Sequence, residues 1–291
     1  MHIGSKACFN FIFLSLTFHL KSPILTTMAP GPKTFLITGA GRGIGRGLSR
    51  ILLQSGHRVF LIDSNKTELE HTASVLGKTH RRGHDFDAAL CDVRLPQEVR
   101  EAARQADGLF GSRLDCLVNN AAYTGGVGGT RLADMTLDEW NRSIETNLTG
   151  PMLVTQACLD MLRAARGCVV HMSSTRAVMS EPDNEPYSAT KAGLLGLAQS
   201  MAVSLARDGV RVSAVLPGWI HVQDECREAD EKGIRWEDGL SEEDMRWQLT
   251  GRVGRAEDVA RAVVYLVENE GVTGVEMVVD GGVTRKMVYP E

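Results

Sequence analysis

Residues 34–45 read TFLITGAGRGIG, and they join an apolar run to a helical pattern through four glycines. The β-branched and aromatic residues at 34–38 predict a strand, and residues 44–56 predict a helix that ends at Gly56. Glycines between two such elements allow a sharp turn and let a pyrophosphate approach the N–H groups of the helix N-terminus. The stretch therefore predicts the first strand and helix of a dinucleotide-binding sheet.

Beyond this unit, short apolar runs alternate with helical stretches. Further strands are predicted at 57–63, 88–93, 114–122, 167–174, 210–218 and 274–282. Further helices are predicted at 65–77, 96–108, 138–165, 186–208 and 256–268, with a reciprocal capping box between Thr136 and Glu139. Apolar strands separated by helices form parallel sheets covered on both faces. The fold class is therefore α/β, a single-domain Rossmann fold with a doubly wound, seven-stranded parallel sheet.

The composition fits one domain without a nucleic-acid or metal site. The 291 residues are 43% hydrophobic and carry a formal net charge of −4, so they can bury a core and offer no basic arm to nucleic acid. The six cysteines lack any metal-ligand spacing, and we expect them to be reduced. These features predict a cytoplasmic protein that binds neither nucleic acid nor a metal ion.

Residues 1–30 fall outside the alternating pattern. Their apolar run at 9–20 is shorter than the roughly 20 residues that a membrane-spanning helix needs. It resembles a secretory signal after Lys6, but no small-residue cleavage site follows. A start at Met28, a disordered extension and a signal peptide stay open, and the first two are favoured. We therefore expect an N-terminal extension at 1–30, a catalytic domain at 31–291 and no membrane span.

An acidic residue ends the second predicted strand, where the ribose of a bound adenosine would lie. Asp63 can accept hydrogen bonds from both ribose hydroxyls and would repel the 2′-phosphate of NADP. Arg42, inside the glycine turn, favours the opposite preference because a guanidinium pairs with phosphate. We expect the carboxylate to dominate, so NAD(H) is favoured over NADP(H).

Five more segments carry polar or turn-forming residues near the ends of predicted strands. They are Asp92-Val93, NNAA at 119–122, Asn147 in ETNLTG, the group Ser174, Tyr187 and Lys191, and Pro217-Gly218-Trp219-Ile220. With the pattern T-G-x-x-x-G-x-G at 38–45, they make residues 33–283 resemble the short-chain dehydrogenase/reductase family, in its short single-domain branch. Three departures from the family pattern are Ala122, where Gly is usual, Val222, where many members carry Thr, and His171, at the usual Asn position of the fifth strand.

The resemblance implies an NAD(P)-dependent oxidoreductase with two sets of site residues. The catalytic tetrad would be Asn147, Ser174, Tyr187 and Lys191. The dinucleotide would be bound by Gly39, Arg42, Gly43, Ile44, Gly45, Asp63, Asp92, Val93, Asn119, Ala121, Tyr187, Lys191, Pro217, Gly218 and Ile220. A homodimer or homotetramer is also implied, since the helix at 186–208 is apolar beyond one face and needs a second partner.

The tetrad accounts for a Tyr and a Lys one helical turn apart in YSATK (187–191). Interconverting an alcohol and a ketone needs an acid/base, and a Tyr with an ordinary pKa of about 10 is poorly matched to neutral pH. An ammonium beside an oxidised nicotinamide favours the phenolate, so Lys191 is expected to lower the pKa of Tyr187. Ser174, which the thirteen-residue interval to Tyr187 favours over Ser173, would hold the substrate oxygen. By resemblance, Asn147 anchors a water.

The substrate is the part of the function that the sequence constrains least. By resemblance, residues 219–255 form a substrate lid, and 221–250 hold ten Asp or Glu and four Lys or Arg. These acids either form solvated helix faces or line the entrance and disfavour polyanionic carriers. Trp219, Trp236 and Trp247 would offer apolar walls, which favours a small neutral sugar, polyol, cyclic or secondary-metabolite carbonyl. The alternatives are a 3-oxoacyl thioester reductase and a catalytically idle dinucleotide-binding interaction module.

Overall fold

The computed structural model describes residues 31–125 and 129–287. The predicted extension at 1–30 lies outside these ranges. Within them, no helix combines the length and the apolar character needed to cross a membrane.

In the described ranges, seven strands form one sheet. In chain order they are β1 (Thr34–Thr38), β2 (Arg58–Asp63), β3 (Phe86–Leu90), β4 (Cys116–Asn119), β5 (Cys168–Met172), β6 (Arg211–Pro217) and β7 (Glu276–Val279). Across the sheet the order is β3-β2-β1-β4-β5-β6-β7, and every neighbouring pair is parallel. The predicted α/β Rossmann class with a seven-stranded parallel sheet is confirmed.

The helices of the described ranges cover both faces of this sheet. They are α1 (Gly43–Gln54), α2 (Lys66–Leu76), α3 (Pro96–Phe110), α4 (Leu137–Ile144), α5 (Gly150–Ala157), α6 (Leu159–Ala165), α7 (Glu185–Leu205), α8 (Arg227–Lys232), α9 (Glu242–Trp247) and α10 (Ala256–Glu268). Phe35 and Ile37 of β1 share a buried cluster with α1 and α10, whereas Leu36 joins the opposite cluster with α3, α5 and α7. Because side chains alternate along a strand, this split buries both faces.

The carboxyl ends of all seven strands meet along one edge of the sheet. β1 pairs with β2 on one side and with β4 on the other. The strands that follow β1 in the chain are therefore added first on one side of it and then on the other. Ligands of open parallel sheets bind at such a point. The glycine turn after β1 and the polar residues that follow β2 to β6 therefore lie around one place.

One predicted strand is displaced and one predicted helix is divided, while β4 and β7 are shorter than predicted. The strand predicted at 88–93 spans Phe86–Leu90, because β3 pairs residue by residue with β2 and ends opposite Asp63. The helix predicted at 138–165 is divided into α4, a π-helical turn at Glu145–Thr149, α5 and α6. Pro151 lacks a backbone N–H, so the turn before it widens.

The capping box predicted before α4 forms only in part. The Thr136 side chain accepts the backbone N–H of Glu139 at 3.2 Å and caps the helix. The Glu139 carboxylate accepts the Thr130 hydroxyl at 3.1 Å instead of reaching back to the Thr136 backbone. The reciprocal half of the prediction is therefore wrong.

Candidate active site

A cavity of about 710 Å³ opens at the carboxyl edge of the sheet. It extends from the glycine turn after β1 to the space between β5, β6 and α7. The predicted site residues that line it are Gly39, Arg42, Gly43, Ile44, Asp63, Asp92, Val93, Ala121, Ser174, Tyr187, Lys191, Pro217 and Gly218. Residues far apart in the sequence thus face one space, whose volume suits a small-molecule or cofactor ligand.

The glycine turn forms one end of this cavity. Gly39 and Gly43 have φ values of +65° and +61°, which L-residues with a Cβ rarely adopt. A Cβ at Gly45 would overlap the carbonyl oxygen of Gly39, so only glycine lets α1 start this close to β1. The Gly43 N–H donates to the carbonyl oxygen of Glu225 at 2.7 Å, which ties the segment after β6 to this turn.

Asp63 is held rigidly beside the glycine turn. Its two carboxylate oxygens accept the backbone N–H groups of Gly41 at 2.9 Å and Asn65 at 2.8 Å. Arg42, by contrast, is exposed at the cavity rim. The Asp63 carboxylate, fixed by two hydrogen bonds, therefore has a better-defined geometry toward a ligand than the exposed Arg42 guanidinium.

Asp92 lies beyond the end of β3 and is already paired. Arg94 donates to both of its oxygens, at 3.0 Å from Nε to each. This hydrogen bonding lowers the pKa of Asp92, against an opposing effect of burial. The Asp92 N–H donates to Glu98 at 2.8 Å, so the residue shapes the wall as part of a network.

Tyr187 and Lys191 lie on the first turns of α7, as their spacing predicts. The Lys191 ammonium is buried, donates to the carbonyl oxygen of Met172 at 2.7 Å, and lies 5.3 Å from the centroid of the Tyr187 ring. Ser174 follows β5 and lines the same cavity as Tyr187 and Lys191. Three members of the predicted tetrad therefore meet at the other end of the cavity.

Burial controls the protonation of these groups. It raises the pKa of Tyr187, against the opposing effects of the neighbouring Ser174 side chain and the Arg176 charge. It also lowers the pKa of Lys191 to about 8. The predicted lowering of the Tyr187 pKa by Lys191 concerns a site that also holds an oxidised nicotinamide, so it stays a prediction.

The two serines after β5 have different partners. The Ser173 hydroxyl donates to the backbone carbonyl of Lys191 at 2.8 Å and anchors α7 to the sheet. The Ser174 oxygen accepts the backbone N–H of Arg176 at 3.2 Å. An oxygen that already accepts a backbone N–H turns its own O–H elsewhere, which suits Ser174 to donate to a ligand in the cavity.

Asn147 lies in the π-helical turn and supports the cavity wall from behind. Its side chain accepts the backbone N–H of Tyr123 at 2.6 Å and donates to the Tyr123 carbonyl at 3.1 Å and to Thr190 at 3.2 Å. It thereby joins the loop after β4 to α7. π-Helical turns of this kind are frequent at functional sites.

Comparisons with known proteins identify the family. The family model described as "Enoyl-(Acyl carrier protein) reductase" matches residues 39–284. An "uncharacterized oxidoreductase" of Thermotoga maritima is 35% identical over 263 residues, 89% of this chain and 98% of the relative. The solved structure of an oxidoreductase of the short chain dehydrogenase/reductase family from Burkholderia thailandensis is 29% identical, with a TM-score of 0.72 and coverage of 88% of this chain and 94% of that one.

This chain belongs to the short-chain dehydrogenase/reductase family. It is an NAD(P)-dependent oxidoreductase. A second solved relative is 3-ketoacyl-(acyl-carrier-protein) reductase from Brucella melitensis complexed with NADH, 25% identical, with a TM-score of 0.73 and coverage of 87% of this chain and 99% of that one. The tight glycine turn and the fixed Asp63 fit a nicotinamide dinucleotide at this edge of the short-chain dehydrogenase/reductase sheet.

Three predicted cofactor residues of this short-chain dehydrogenase/reductase do not line the cavity. Asn119 is buried, and its side-chain amide donates to the Thr155 hydroxyl at 3.1 Å. The side-chain amide of Asn120 donates to the carbonyl oxygen of Gly39 at 3.1 Å and so stabilises the glycine turn. Gly45 lies behind the turn, where its lack of a side chain permits the packing. Ile220 lies in the buried core, and its backbone forms an isolated β-bridge with Gly254.

Several cavity-lining residues were not predicted from the sequence. They include Arg142, Thr146, Met172 and Arg176, together with Val222, which was noted only as a departure from the family. Arg176 stands two residues after Ser174, so its proximity to the tetrad was the one available signal. An isolated charge in a loop has no periodicity by which sequence reasoning could recognise it.

The acids of 221–250 are mostly paired within their own segment or to α1 and α2. Glu225 is buried between Arg46 and Arg50, and Asp230 contacts Arg46 and His71 at 2.7 Å each. Others form local pairs, namely Arg227–Glu231, Lys232–Glu228, Arg235–Asp238 and Arg246–Glu242. This arrangement favours solvated helix faces over an acidic entrance, and it removes the electrostatic argument against a polyanionic substrate.

The three tryptophans do not form the predicted apolar wall. Of the described residues that line the cavity, none is a Trp. The Trp236 ring is covered by the Arg255 guanidinium, 3.8 Å from the ring centroid, and packs edge-on against His221. Trp247 lies 5.5 Å from the Lys286 ammonium and is 53% exposed. Trp236 and Trp247 therefore contact basic side chains and do not line the cavity.

His171 is a buried titratable group beneath the tetrad of this short-chain dehydrogenase/reductase. It is fully buried in β5, and its Nδ1 lies 3.3 Å from the Asn119 side-chain nitrogen. Burial, with a smaller contribution from the Lys191 charge, lowers the pKa of His171 from its ordinary 6.5 to about 4. The imidazole is therefore neutral in the folded protein at neutral pH.

This buried imidazole predicts a loss of stability in mild acid. Between about pH 6.5 and pH 4 the unfolded chain binds a proton that folded His171 does not, so stability falls as the pH falls. From pH 7.5 to 5.0 this group alone costs about 2 kcal/mol. His171→Asn should reduce the pH-dependent loss by about that amount, measured by urea unfolding at both pH values. A variant with the wild-type pH dependence would contradict this, and His80→Asn serves as the control.

Proposed function

We propose that this protein interconverts a secondary alcohol and a ketone on a small neutral substrate, with Tyr187 as the acid/base. The observation that carries the proposal is the meeting of Ser174, Tyr187 and Lys191 at one end of a cavity whose other end is the glycine turn and Asp63. A ligand that spans this cavity presents its reactive end to the hydroxyls of Ser174 and Tyr187.

Each polar group at the reactive end has a distinct task. Ser174 donates its O–H to the substrate oxygen, since its lone pair is engaged by the Arg176 N–H. Tyr187 takes the hydroxyl proton during oxidation and returns it during reduction. The Lys191 ammonium stabilises the phenolate at 5.3 Å from the ring centroid. Asn147 fixes the loop at Tyr123, and its family role as a water anchor stays a prediction.

The nicotinamide supplies the hydride exchange when it is bound. Ile44 and the glycine turn would hold its pyrophosphate at the start of α1, because the first N–H groups of a helix favour anions. Asp63 would hold the adenosine ribose, and Pro217 and Gly218 would flank the nicotinamide. Asp92, Val93 and Ala121 would form the adenine side of the wall. All of these residues line the cavity.

We propose NAD(H) over NADP(H), because a fixed Asp63 carboxylate repels a 2′-phosphate. Replacing it with the isosteric amide in Asp63→Asn removes the charge and keeps the shape. The ratio of the Kd for NADH to the Kd for NADPH, measured by fluorescence titration, is expected to rise by about 10–100-fold. Asp160→Asn, on the solvent side of α6, is the matched control. Tight NADPH binding by the unaltered protein would contradict the proposal.

The reaction itself is tested by NADH absorbance at 340 nm. The full chain is screened with sugars, polyols, cyclic alcohols and the matching ketones, with Tyr187→Phe beside it. Turnover of a neutral alcohol or ketone that depends on Tyr187 supports the proposal. Cofactor binding without turnover across the panel would instead support a catalytically idle dinucleotide-binding module.

A 3-oxoacyl thioester reductase is the second candidate. It is favoured by the local pairing of the acids at 221–250, which leaves the entrance without a repulsive charge, and by the similarity to the reductase from Brucella melitensis. Turnover of acetoacetyl-CoA with a higher kcat/KM than any neutral ketone of the panel would select this reaction.

The expected homodimer or homotetramer and the cytoplasmic location stay predictions. The apolar character of α7 that motivated an oligomer is present, since Val203 of this helix is 79% exposed while Leu194, Ala198 and Ala202 are buried. Light scattering of the purified chain measures the oligomeric state directly.

A further inference from the structure

Arg176 lies on the cavity wall beside the reactive end. It belongs to the short 3₁₀ turn at Thr175–Ala177, and it lines the same cavity as Ser174 and Tyr187. Its charge acts on the Tyr187 hydroxyl, as does the opposite charge of Glu181. Arg176 therefore faces the same cavity as the two hydroxyls that would hold the substrate oxygen, and the proposed chemistry leaves its charge unused.

Arg176 and Glu181 form a two-pronged ion pair. Nε of Arg176 donates to one carboxylate oxygen of Glu181 at 2.7 Å, and Nη2 donates to the other at 2.9 Å. This fork–fork geometry fixes both planar groups relative to each other. The Arg176 guanidinium thus reaches the cavity wall as part of a rigid, nearly neutral pair with Glu181.

The ion pair can still bind a ligand. The side chains are 31% and 44% exposed, respectively, so both can be reached from solvent. A guanidinium has five N–H groups and a carboxylate about four acceptor positions, more than the pair itself uses. Adjacent donors and acceptors match a hydroxyl group, which donates one hydrogen bond and accepts others.

Other substrate groups fit this position less well. A carboxylate would meet the repulsion of Glu181 next to the attraction of Arg176. A hydrocarbon would remove water from the pair without replacing its hydrogen bonds, which is unfavourable. A hydroxyl satisfies both partners without adding charge.

We propose that Arg176 and Glu181 form a subsite that binds a second hydroxyl of the substrate. The inference rests on the proposed alcohol–ketone reaction and deepens it: the substrate class is a neutral polyol, sugar or hydroxy ketone. The subsite discriminates against both simple alcohols and keto acids.

The test compares matched substrates that differ by one group. Initial rates are measured for 2,3-butanediol against 2-butanol, for trans-1,2-cyclohexanediol against cyclohexanol, and for a 2-oxo acid against the matching hydroxy ketone. In the unaltered chain, kcat/KM for each diol should exceed that of its mono-alcohol. In Arg176→Met this preference should fall by about 10–100-fold. In Glu181→Gln the preference for hydroxy ketones over 2-oxo acids should fall by about tenfold or more.

The control is an ion pair of similar type outside the cavity. Arg163 pairs with Asp208 at 2.9 Å on the α6 side, and Arg163→Met should keep the substrate preferences of the unaltered chain. Thermal melting establishes that each variant is folded, and Glu181→Gln provides a second variant if Arg176→Met is not.

The outcomes separate this inference from the reaction on which it rests. Turnover that depends on Tyr187, with diol preferences unchanged in both variants, overturns the subsite and leaves the alcohol–ketone reaction standing. Turnover that survives Tyr187→Phe, or none with any substrate of the panel, overturns the reaction and the subsite together. Loss of the diol preference in Arg176→Met, and of the discrimination against 2-oxo acids in Glu181→Gln, supports the subsite.

Discussion

Tyr187→Phe is expected to lower kcat by about 10²–10⁴-fold in either direction, which is the usual contribution of a positioned acid/base. The variant loses only the phenolic oxygen, and its ring keeps the packing near the Lys191 side chain. The Kd for NADH should therefore change much less than kcat. The measurements are steady-state rates with the best substrate of the panel and NADH fluorescence titration of the same sample.

The pH dependence gives a second readout of the same group. Since burial raises the pKa of Tyr187 in the chain alone, oxidation should accelerate with rising pH until the phenolate predominates. This rise should be absent from the residual activity of Tyr187→Phe. Tyr265→Phe, on the exposed face of α10, is the control. A Tyr187→Phe variant with more than about a tenth of the kcat would exclude Tyr187 as the acid/base.

Local sequence pattern was sufficient for the strands next to the cofactor site. The residues 34–38 are an apolar Phe35-Leu36-Ile37 core between two β-branched threonines and are followed at once by glycine, so β1 begins and ends where predicted. The third strand was placed two residues late because Cys91 and Val93 are apolar while Asp87 is not. Its true position follows from pairing with β2, and such long-range register leaves no trace in a local window.

In the candidate site, too, residues that belong to a motif could be predicted, and residues whose position depends on the surrounding fold could not. The tetrad was found because its spacing is a motif, and the structure brings Ser174, Tyr187 and Lys191 together. Asn119 was predicted as a cofactor residue, but it faces the core, and its neighbour Asn120 contacts the glycine turn. Two adjacent identical residues cannot be told apart in the sequence, because only the pleat of β4 decides which of them faces the core. The paired acids after β6 were equally ambiguous, because whether Glu225 faces solvent or Arg46 depends on the approach of α1.

Lys191→Met is expected to separate activity from stability. Without the ammonium, the Tyr187 phenolate loses its stabilising charge, and kcat should fall by roughly 10²–10³-fold. The folded protein, however, holds this ammonium buried against a single backbone carbonyl, that of Met172 at 2.7 Å. Burial lowers the pKa of Lys191 from its ordinary 10.5 to about 8. The inactive variant should therefore be the more stable one at neutral pH.

The size and sign of this gain depend on pH. Below about pH 8 the buried charge lowers the stability of the unaltered protein by about 3 kcal/mol, and Lys191→Met removes this cost. The substitution also leaves the Met172 carbonyl without a donor, which costs about 1–2 kcal/mol and offsets part of the gain. A net gain of about 1–2 kcal/mol at pH 7 should follow, measured by urea unfolding without cofactor. As the pH rises from 8 to 10.5 the unfolded lysine also loses its proton, so the cost disappears and the gain should turn into a small loss.

Lys66→Met, on the exposed face of α2, should show neither effect. A Lys191→Met variant that is less stable at pH 7, by an amount independent of pH, would mean that the ammonium is satisfied where it lies and that its burial stabilises α7.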